Sequence, residues 1–188
     1  MPRRVTRGRL FVISGPSGAG KGTVVQDLLR RRPELVLSVS ATTRPARAAE
    51  RDGVHYHFVT ANEFLARRDM GGFLEWAEVY GNLYGTPRAP VAAARAAGRD
   101  VVCELDIQGA LAIKHMEPDA VLVFIEPPSL DDLFLRLRRR GTEDPGALSE
   151  RLRAAYEEVK QKGLYDHIVV NDDLESAVTE LLRILDED

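Results

Sequence analysis

The chain has 188 residues, a hydrophobic share of 44% and a formal net charge of −3. That is the length of one compact domain with room for small inserted lobes, and the apolar share is enough for a core. It excludes a general attraction to nucleic acid or an anionic membrane, and no apolar run approaches the ~20 residues of a membrane span.

The first predicted element is a buried strand over residues 9–14, built on Leu10-Phe11-Val12-Ile13. It runs into Gly15-Pro16-Ser17-Gly18-Ala19-Gly20-Lys21-Gly22-Thr23. A helix over 21–32 follows, with Val24, Val25, Leu28 and Leu29 on one side, and ends before Pro33. A strand is expected over 35–40. From Thr42 to about Ala97 the chain is richer in Tyr, His and Gly and carries the alternating run Val54-His55-Tyr56-His57-Phe58-Val59, which reads as an inserted lobe. Ala92, Ala93, Ala94, Ala96 and Ala97 form a helix after Pro90 in its first turn. Strands over 100–105, 121–125 and 167–170 then alternate with helices over 107–116, 130–140, 147–160 and 174–185. Ser129 and Asp173 are the expected N-caps of the second and last of these helices. Such alternation predicts an α/β fold on a parallel sheet. Residues 136–153, with Gly141, Pro145 and Gly146 between two helices, have the composition of a mobile flap.

The strand-loop-helix at 10–23 carries the clearest chemistry. Glycines let the backbone fold tightly around an anion. Successive N–H groups point inward at phosphate oxygens, and the helix N-terminus adds partial positive charge. Lys21 reaches the outer phosphates as a point charge. A nucleoside triphosphate is the expected ligand. The usual pattern places Ser or Thr directly after the lysine as a magnesium ligand; here Gly22 stands there and Thr23 follows.

Arg44 and Arg47 lie on a stretch that Pro45 holds extended, so they offer two guanidinium forks to a phosphate. Solvated surface arginines are the alternative. Arg136, Arg138, Arg139, Arg140 and Arg151 form a second cluster in the flap, interleaved by Leu133, Leu135 and Leu137. Positioned cations there would stabilise a transferring phosphoryl group. Glu104 and Asp106 end a predicted strand and, at period two, share a side. They sit where open α/β sheets bind ligands and where magnesium is ordered; a capping or surface acid pair is the alternative. Glu75, between Leu74 and Trp76, needs a partner, such as the two-donor edge of a guanine; an exposed acid on an amphipathic strand is the alternative. Cys103, the single cysteine, lies in an apolar run and reads as a buried thiol. It cannot close an intramolecular disulfide, which suits a reducing compartment. The basic start Met1-Pro2-Arg3-Arg4 leads into no signal-type apolar core, so a cytoplasmic location is expected. His55, His57, His115 and His167 are scattered and receive no role.

Seven segments in order resemble the guanylate kinase family: 15–23, 40–47, Phe73-Leu74-Glu75-Trp76-Ala77, Gly81-Asn82-Leu83-Tyr84-Gly85-Thr86, Glu104-Leu105-Asp106-Ile107-Gln108-Gly109, Arg140-Gly141-Thr142-Glu143 and Val170-Asn171-Asp172-Asp173. The resemblance spans about 9–185. It implies the reaction ATP + GMP ⇌ ADP + GDP with Mg2+, and a three-layer P-loop core (about 8–38, 98–132 and 164–188) carrying a GMP-binding lobe (about 39–97) and a helical lid (about 133–163). It implies that Lys21 and the loop 15–23 hold ATP, with Arg136 and Asn171 on the ATP side. Arg44, Arg47, Tyr56 and Tyr84 would clamp the GMP phosphate, and Ser40, Glu75 and Thr86 would read guanine. Glu104 and Asp106 would lie near the acceptor and the metal, and Arg136, Arg140 and Arg151 would close over the transferring group. Lys21, Arg47, Arg140 and Arg151 are the expected catalytic residues. Two positions depart from the family pattern: Gly22 resembles the adenylate kinase variant, and Ala49 stands where many relatives carry Gly.

Two rivals are set against this. A scaffold-type binding module would lose the loop and lid residues that this chain keeps. A kinase of another phosphorylated acceptor would lack the Ser40, Glu75 and Thr86 set. Self-association is left open.

Overall fold

The computed structural model describes residues 6–79, 81–139 and 145–187. Its strands are β1 (Leu10–Ser14), β2 (Val36–Leu37), β3 (Ala41–Thr42), β4 (His57–Phe58), β5 (Phe73–Val79), β6 (Asn82–Pro87), β7 (Val101–Glu104), β8 (Val121–Glu126) and β9 (His167–Val170). Its helices are α1 (Lys21–Arg31), α2 (Ala61–Asp69), α3 (Arg88–Ala96), α4 (Ile107–Met116), α5 (Leu130–Arg139), α6 (Pro145–Val159) and α7 (Leu174–Asp186), with a 3-10 turn at Lys160–Leu164. The five-stranded sheet has the order β2-β7-β1-β8-β9, and the four-stranded sheet β4-β3-β6-β5. The mixed α/β class is as expected.

Two compact units divide the chain. One comprises Met1–Phe11, Glu34–Cys103 and Leu111–Ala120; the other comprises Val12–Pro33, Glu104–Ala110 and Val121–Asp188.

The second unit is built on unbroken apolar runs. Leu122, Val123, Phe124 and Ile125 of β8 are all buried, the mark of a strand covered on both faces. β8 and β9 pair in parallel, Val123 opposite His167. Helices α1 and α7 pack together; α1 buries Val24, Val25 and Leu28, and α7 buries Val178, Leu181 and Leu185. Arg31 fastens them at the surface, 2.8 Å from Asp27 and 2.5 Å from Glu175. Ser129 and Asp173 cap α5 and α7 as expected, accepting from Asp132 N at 3.0 Å and Ser176 N at 2.9 Å.

The first unit holds the small sheet. Phe64 of α2 stacks on Phe73 of β5 with ring centroids 4.4 Å apart, over buried Ala41. The strand expected over 35–40 is shorter because the segment serves two sheets. Val36 and Leu37 pair with β7, whereas the Ser40 carbonyl accepts from His57 N at 2.8 Å and the chain enters β3. The alternating run 54–59 is a strand only at His57–Phe58, since Val54 N and His55 N both turn back to Arg51 O. Helix α2 was not expected. Thr60 and Glu63 form its capping box, with Glu63 N to Thr60 Oγ1 at 3.2 Å and Thr60 N to Glu63 Oε2 at 2.8 Å.

Arg95 of α3 is 2% exposed. It donates to Gly8 O at 2.8 Å, Glu117 Oε2 at 2.8 Å and Asp119 Oδ2 at 2.5 Å. A buried guanidinium needs this full set of acceptors. Among the described residues no helix is long and apolar enough to cross a membrane.

Candidate functional site

In the second unit, β1 leads directly into the glycine-rich loop, and α1 starts at Lys21 as expected. Two of its glycines are forced. Gly15 has φ +146 and a Cβ there would lie 2.3 Å from Ile125 O. Gly20 is the N-cap, left-handed at φ +89, and its Cβ would lie 2.6 Å from Asn171 Nδ2. L-residues with side chains avoid that backbone region. Lys21 folds back over the loop and donates to Gly15 O at 2.6 Å and Pro16 O at 3.2 Å.

Asn171 and Arg136 close on the same loop. Asn171 follows β9, and its Nδ2 donates to Ala19 O at 2.7 Å. Arg136 of α5 donates to Asn171 O at 2.9 Å and Ala19 O at 3.4 Å. Together with Gly18, Gly20, Thr23, Asp172 and Leu174 they line a pocket of about 370 Å³. The structure thus joins Arg136 and Asn171 to the loop, although more than a hundred residues separate them in sequence.

Glu104 lies against the first turn of α1, its carboxylate oxygens 3.5 and 3.7 Å from where a Cβ on Gly22 would stand. Crowding away of water raises its pKa, and the Lys21 ammonium opposes the rise. Asp106 departs from the period-two expectation. β7 stops at Glu104, and Asp106 precedes α4 instead. Its Oδ1 accepts from Gly109 N at 2.8 Å, an N-capping bond. The demand of the helix start for an acceptor overrides the strand pattern there. Glu158 of α6 was not foreseen. Its Oε2 accepts from Ser17 N in the loop at 3.3 Å. Burial raises its pKa, which Asp106 adds to and Ser17 N–H and Lys21 reduce. Arg140 lies outside the described residues; Arg151 falls within α6, but its side chain also lies outside them.

In the first unit, the β5–β6 hairpin sets Glu75 directly opposite Thr86. Thr86 is fully buried, and its hydroxyl donates to Glu75 Oε1 at 2.6 Å. That supplies the partner a carboxylate in apolar company requires. Nearby in the same unit, Tyr56 and Tyr84 meet edge to face at 6.0 Å, and the Arg44 guanidinium lies 5.5 Å from the Tyr56 ring centre. Tyr84 and Glu50 both hold the Arg44 guanidinium in its charged form, Glu50 the more strongly. Glu50, absent from the expected site, binds the Arg44 fork at 2.8 and 3.0 Å and accepts from Arg47 N at 2.8 Å. The Arg47 side chain itself is exposed, and Ser40 stands immediately before β3. So Arg44, Tyr56 and Tyr84 are gathered, and Glu75 joins Thr86.

Comparison with known proteins decides the family. The family model described as "Guanylate kinase" matches residues 7–188. The chain belongs to the guanylate kinase family. A guanylate kinase of Carboxydothermus hydrogenoformans is 49% identical over 179 residues, covering 95% of this chain and 88% of that protein. One of Symbiobacterium thermophilum is 49% identical over 185 residues, covering 98% and 87%. The crystal structure of guanylate kinase from Anaplasma phagocytophilum aligns with a TM-score of 0.78 at 35% identity, over 96% of this chain and 85% of that one. A shikimate kinase structure from Bacteroides thetaiotaomicron aligns with a TM-score of 0.54 at 20% identity, over 95% of this chain and 99% of that one; that likeness concerns the fold alone. A guanylate kinase family member with a phosphate loop folded on Lys21 is a phosphotransferase of the P-loop type.

Proposed function

We propose that the loop of the second unit holds ATP and the small sheet of the first unit holds GMP. The chain is an ATP:GMP phosphotransferase, and the products are ADP and GDP. The family match across residues 7–188 is the observation that carries this. On binding, Lys21 leaves Gly15 O and Pro16 O for the outer phosphates, and the loop N–H groups hold them. Adenine and ribose take the pocket beside Asn171 and Arg136.

The acceptor is read by Glu75, whose carboxylate Thr86 holds in place, with Ser40 immediately before β3 of the same sheet. Glu75 accepts from the guanine ring N–H and amine, a pattern that adenine does not present. Arg44, Arg47, Tyr56 and Tyr84 clamp the phosphate of GMP. An oxygen of that phosphate attacks the γ-phosphorus in line, and the bond to the β–γ bridging oxygen breaks. The attacking oxygen is already anionic, so no strong base is needed. Alignment and charge neutralisation do the catalysis. Arg136, Arg140 and Arg151 supply cations to the transferring group, with Arg47 from the acceptor side.

The donor set near the loop fits a magnesium ion carried with ATP. Magnesium binds through one or two carboxylates plus phosphate oxygens and water. Glu104, beside Gly22 and Lys21, and Asp106, with one oxygen committed to Gly109, would hold it through water. It would neutralise charge on the phosphate oxygens. Cytoplasm is the proposed compartment, in keeping with the buried Cys103 thiol, which burial pushes up to about 12.

The test is transfer from ATP radiolabelled in its γ-phosphate. Label appearing in GDP supports the reading. Label appearing only in inorganic phosphate contradicts it.

A further inference from the structure

We infer that Glu50 is a positioning residue of the acceptor-phosphate clamp, fixing the Arg44 fork and the Arg47 turn in one geometry. The inference rests on the proposed reading of Arg44 and Arg47 as that clamp. One carboxylate makes all the bonds. Oε1 accepts from Arg44 Nη2 at 2.8 Å, and Oε2 accepts from both Arg44 Nη1 at 3.0 Å and Arg47 N at 2.8 Å. The backbone answers in the other direction, Glu50 N donating to Arg47 O at 2.9 Å. The turn from Arg47 to Glu50 is therefore closed by the backbone and tied to Arg44 by the side chain.

A guanidinium has five N–H donors in a rigid plane. Glu50 takes two, and Pro45 O takes another at 2.7 Å. The fork cannot rotate while these hold, so Arg44 presents one remaining edge, Nε–H with the second Nη2–H. Arg44 and Glu50 are each largely covered, with side chains 16% and 15% exposed. The Arg44 and Arg47 bonds hold the Glu50 carboxyl down at about 2, so it stays ionised at every working pH.

Two effects oppose each other when Glu50 loses its charge. Removing a negative charge near the clamp favours phosphate, but the Glu50 charge is already matched by the Arg44 guanidinium that it binds through two bonds. Losing the bidentate hold frees Arg44 to rotate and loosens the Arg47 turn, which lowers affinity through orientation. Charge-assisted bidentate pairs are about twice as strong as neutral hydrogen bonds, so the loss of orientation dominates.

The experiment measures dissociation constants of GMP, guanosine and ATP by calorimetry, with KM for each substrate, in the wild-type chain and in E50Q, E50A and E50D. Guanosine presents the same base without the phosphate. E50Q is expected to weaken GMP roughly tenfold, with E50D in between, because a charge-assisted pair is replaced by a neutral bond. Guanosine and ATP are expected to stay within about twofold. The GMP-to-guanosine ratio is internal to each variant, so a general folding defect does not move it. An unchanged or larger ratio in E50Q, with the wild type preferring GMP, overturns the role of Glu50. A wild type that binds GMP no better than guanosine overturns the clamp reading and the Glu50 inference with it.

Discussion

Glu158 Oε2 accepts a hydrogen bond from Ser17 N at 3.3 Å, so a carboxylate of α6 sits on the loop proposed to receive phosphate. Burial raises the Glu158 pKa above the usual 4.5, while Ser17 N–H and Lys21 pull it back. The ionised form repels a triphosphate, and the protonated form does not. ATP affinity of the wild type is therefore expected to fall as pH rises through the raised Glu158 pKa. E158Q should bind ATP several-fold tighter at neutral pH, since a charge pair across a partly screened site is worth about 1 kcal/mol or more. Calorimetry of both forms across pH checks this, the difference between them cancelling the ionisation of ATP itself. Weaker binding by E158Q would contradict the repulsion.

Gly20 and Asn171 form a coupled pair. A Cβ on Gly20 meets Asn171 Nδ2 at 2.6 Å in a left-handed backbone. G20A is expected to cost about 1–2 kcal/mol from backbone strain alone, plus the clash. N171A removes the bond to Ala19 O and should cost about 0.5–1.5 kcal/mol in stability. The double variant relieves the clash, so its loss should be smaller than the sum of the singles. Thermal midpoints and ATP affinities of the four proteins give the cycle; strict additivity would refute the contact.

Much of this was legible locally. The β1–loop–α1 unit, α4, β9 and the caps of α5 and α7 follow from short-range signals: apolar runs, glycines and capping residues. Helix α2 was missed although Thr60 and Glu63 carry its capping signature, because Phe64 is its single buried residue and the apolar period is faint. Period-two reasoning places Asp106 on the strand because it assumes the strand continues; β7 ends at Glu104, and a helix start claims Asp106, the capping alternative. Glu158 leaves no local trace of its role. Glu158 meets Ser17 across 141 positions, and no period or spacing reports such a contact. Asn171 enters through the family resemblance and Arg136 through the flap arginine cluster, and in the structure both donate to Ala19 O.

Glu75 is held by Thr86 at 2.6 Å. E75Q keeps the shape but replaces an acceptor with a donor, leaving a guanine N–H unpaired. A hydrogen bond to a charged group is worth about 1.5–3 kcal/mol, so kcat/KM for GMP should fall by roughly 10- to 150-fold. KM for ATP should stay within about twofold. Steady-state kinetics with each substrate varied distinguishes the two, and equal losses for GMP and ATP would count against a base-reading role.

Arg95 tests the frame of the first unit rather than its chemistry. Its removal strands Gly8 O and leaves Glu117, with a side chain 20% exposed, to Arg7 at 3.0 Å. Breaking a buried ion pair from one side costs about 3–5 kcal/mol, and solvent access to Asp119 puts R95A near the lower end. Chemical denaturation of R95A should show a lower midpoint with an unchanged slope. A midpoint equal to wild type would mean that the network adds nothing.

Acceptor choice is the most direct test of the central claim. ADP formation from MgATP is measured with GMP, AMP, CMP, UMP and no acceptor. Rapid turnover with GMP and background rates with the rest is the predicted result. Comparable turnover with AMP would contradict the assignment of Glu75, Thr86 and Ser40 as readers of guanine.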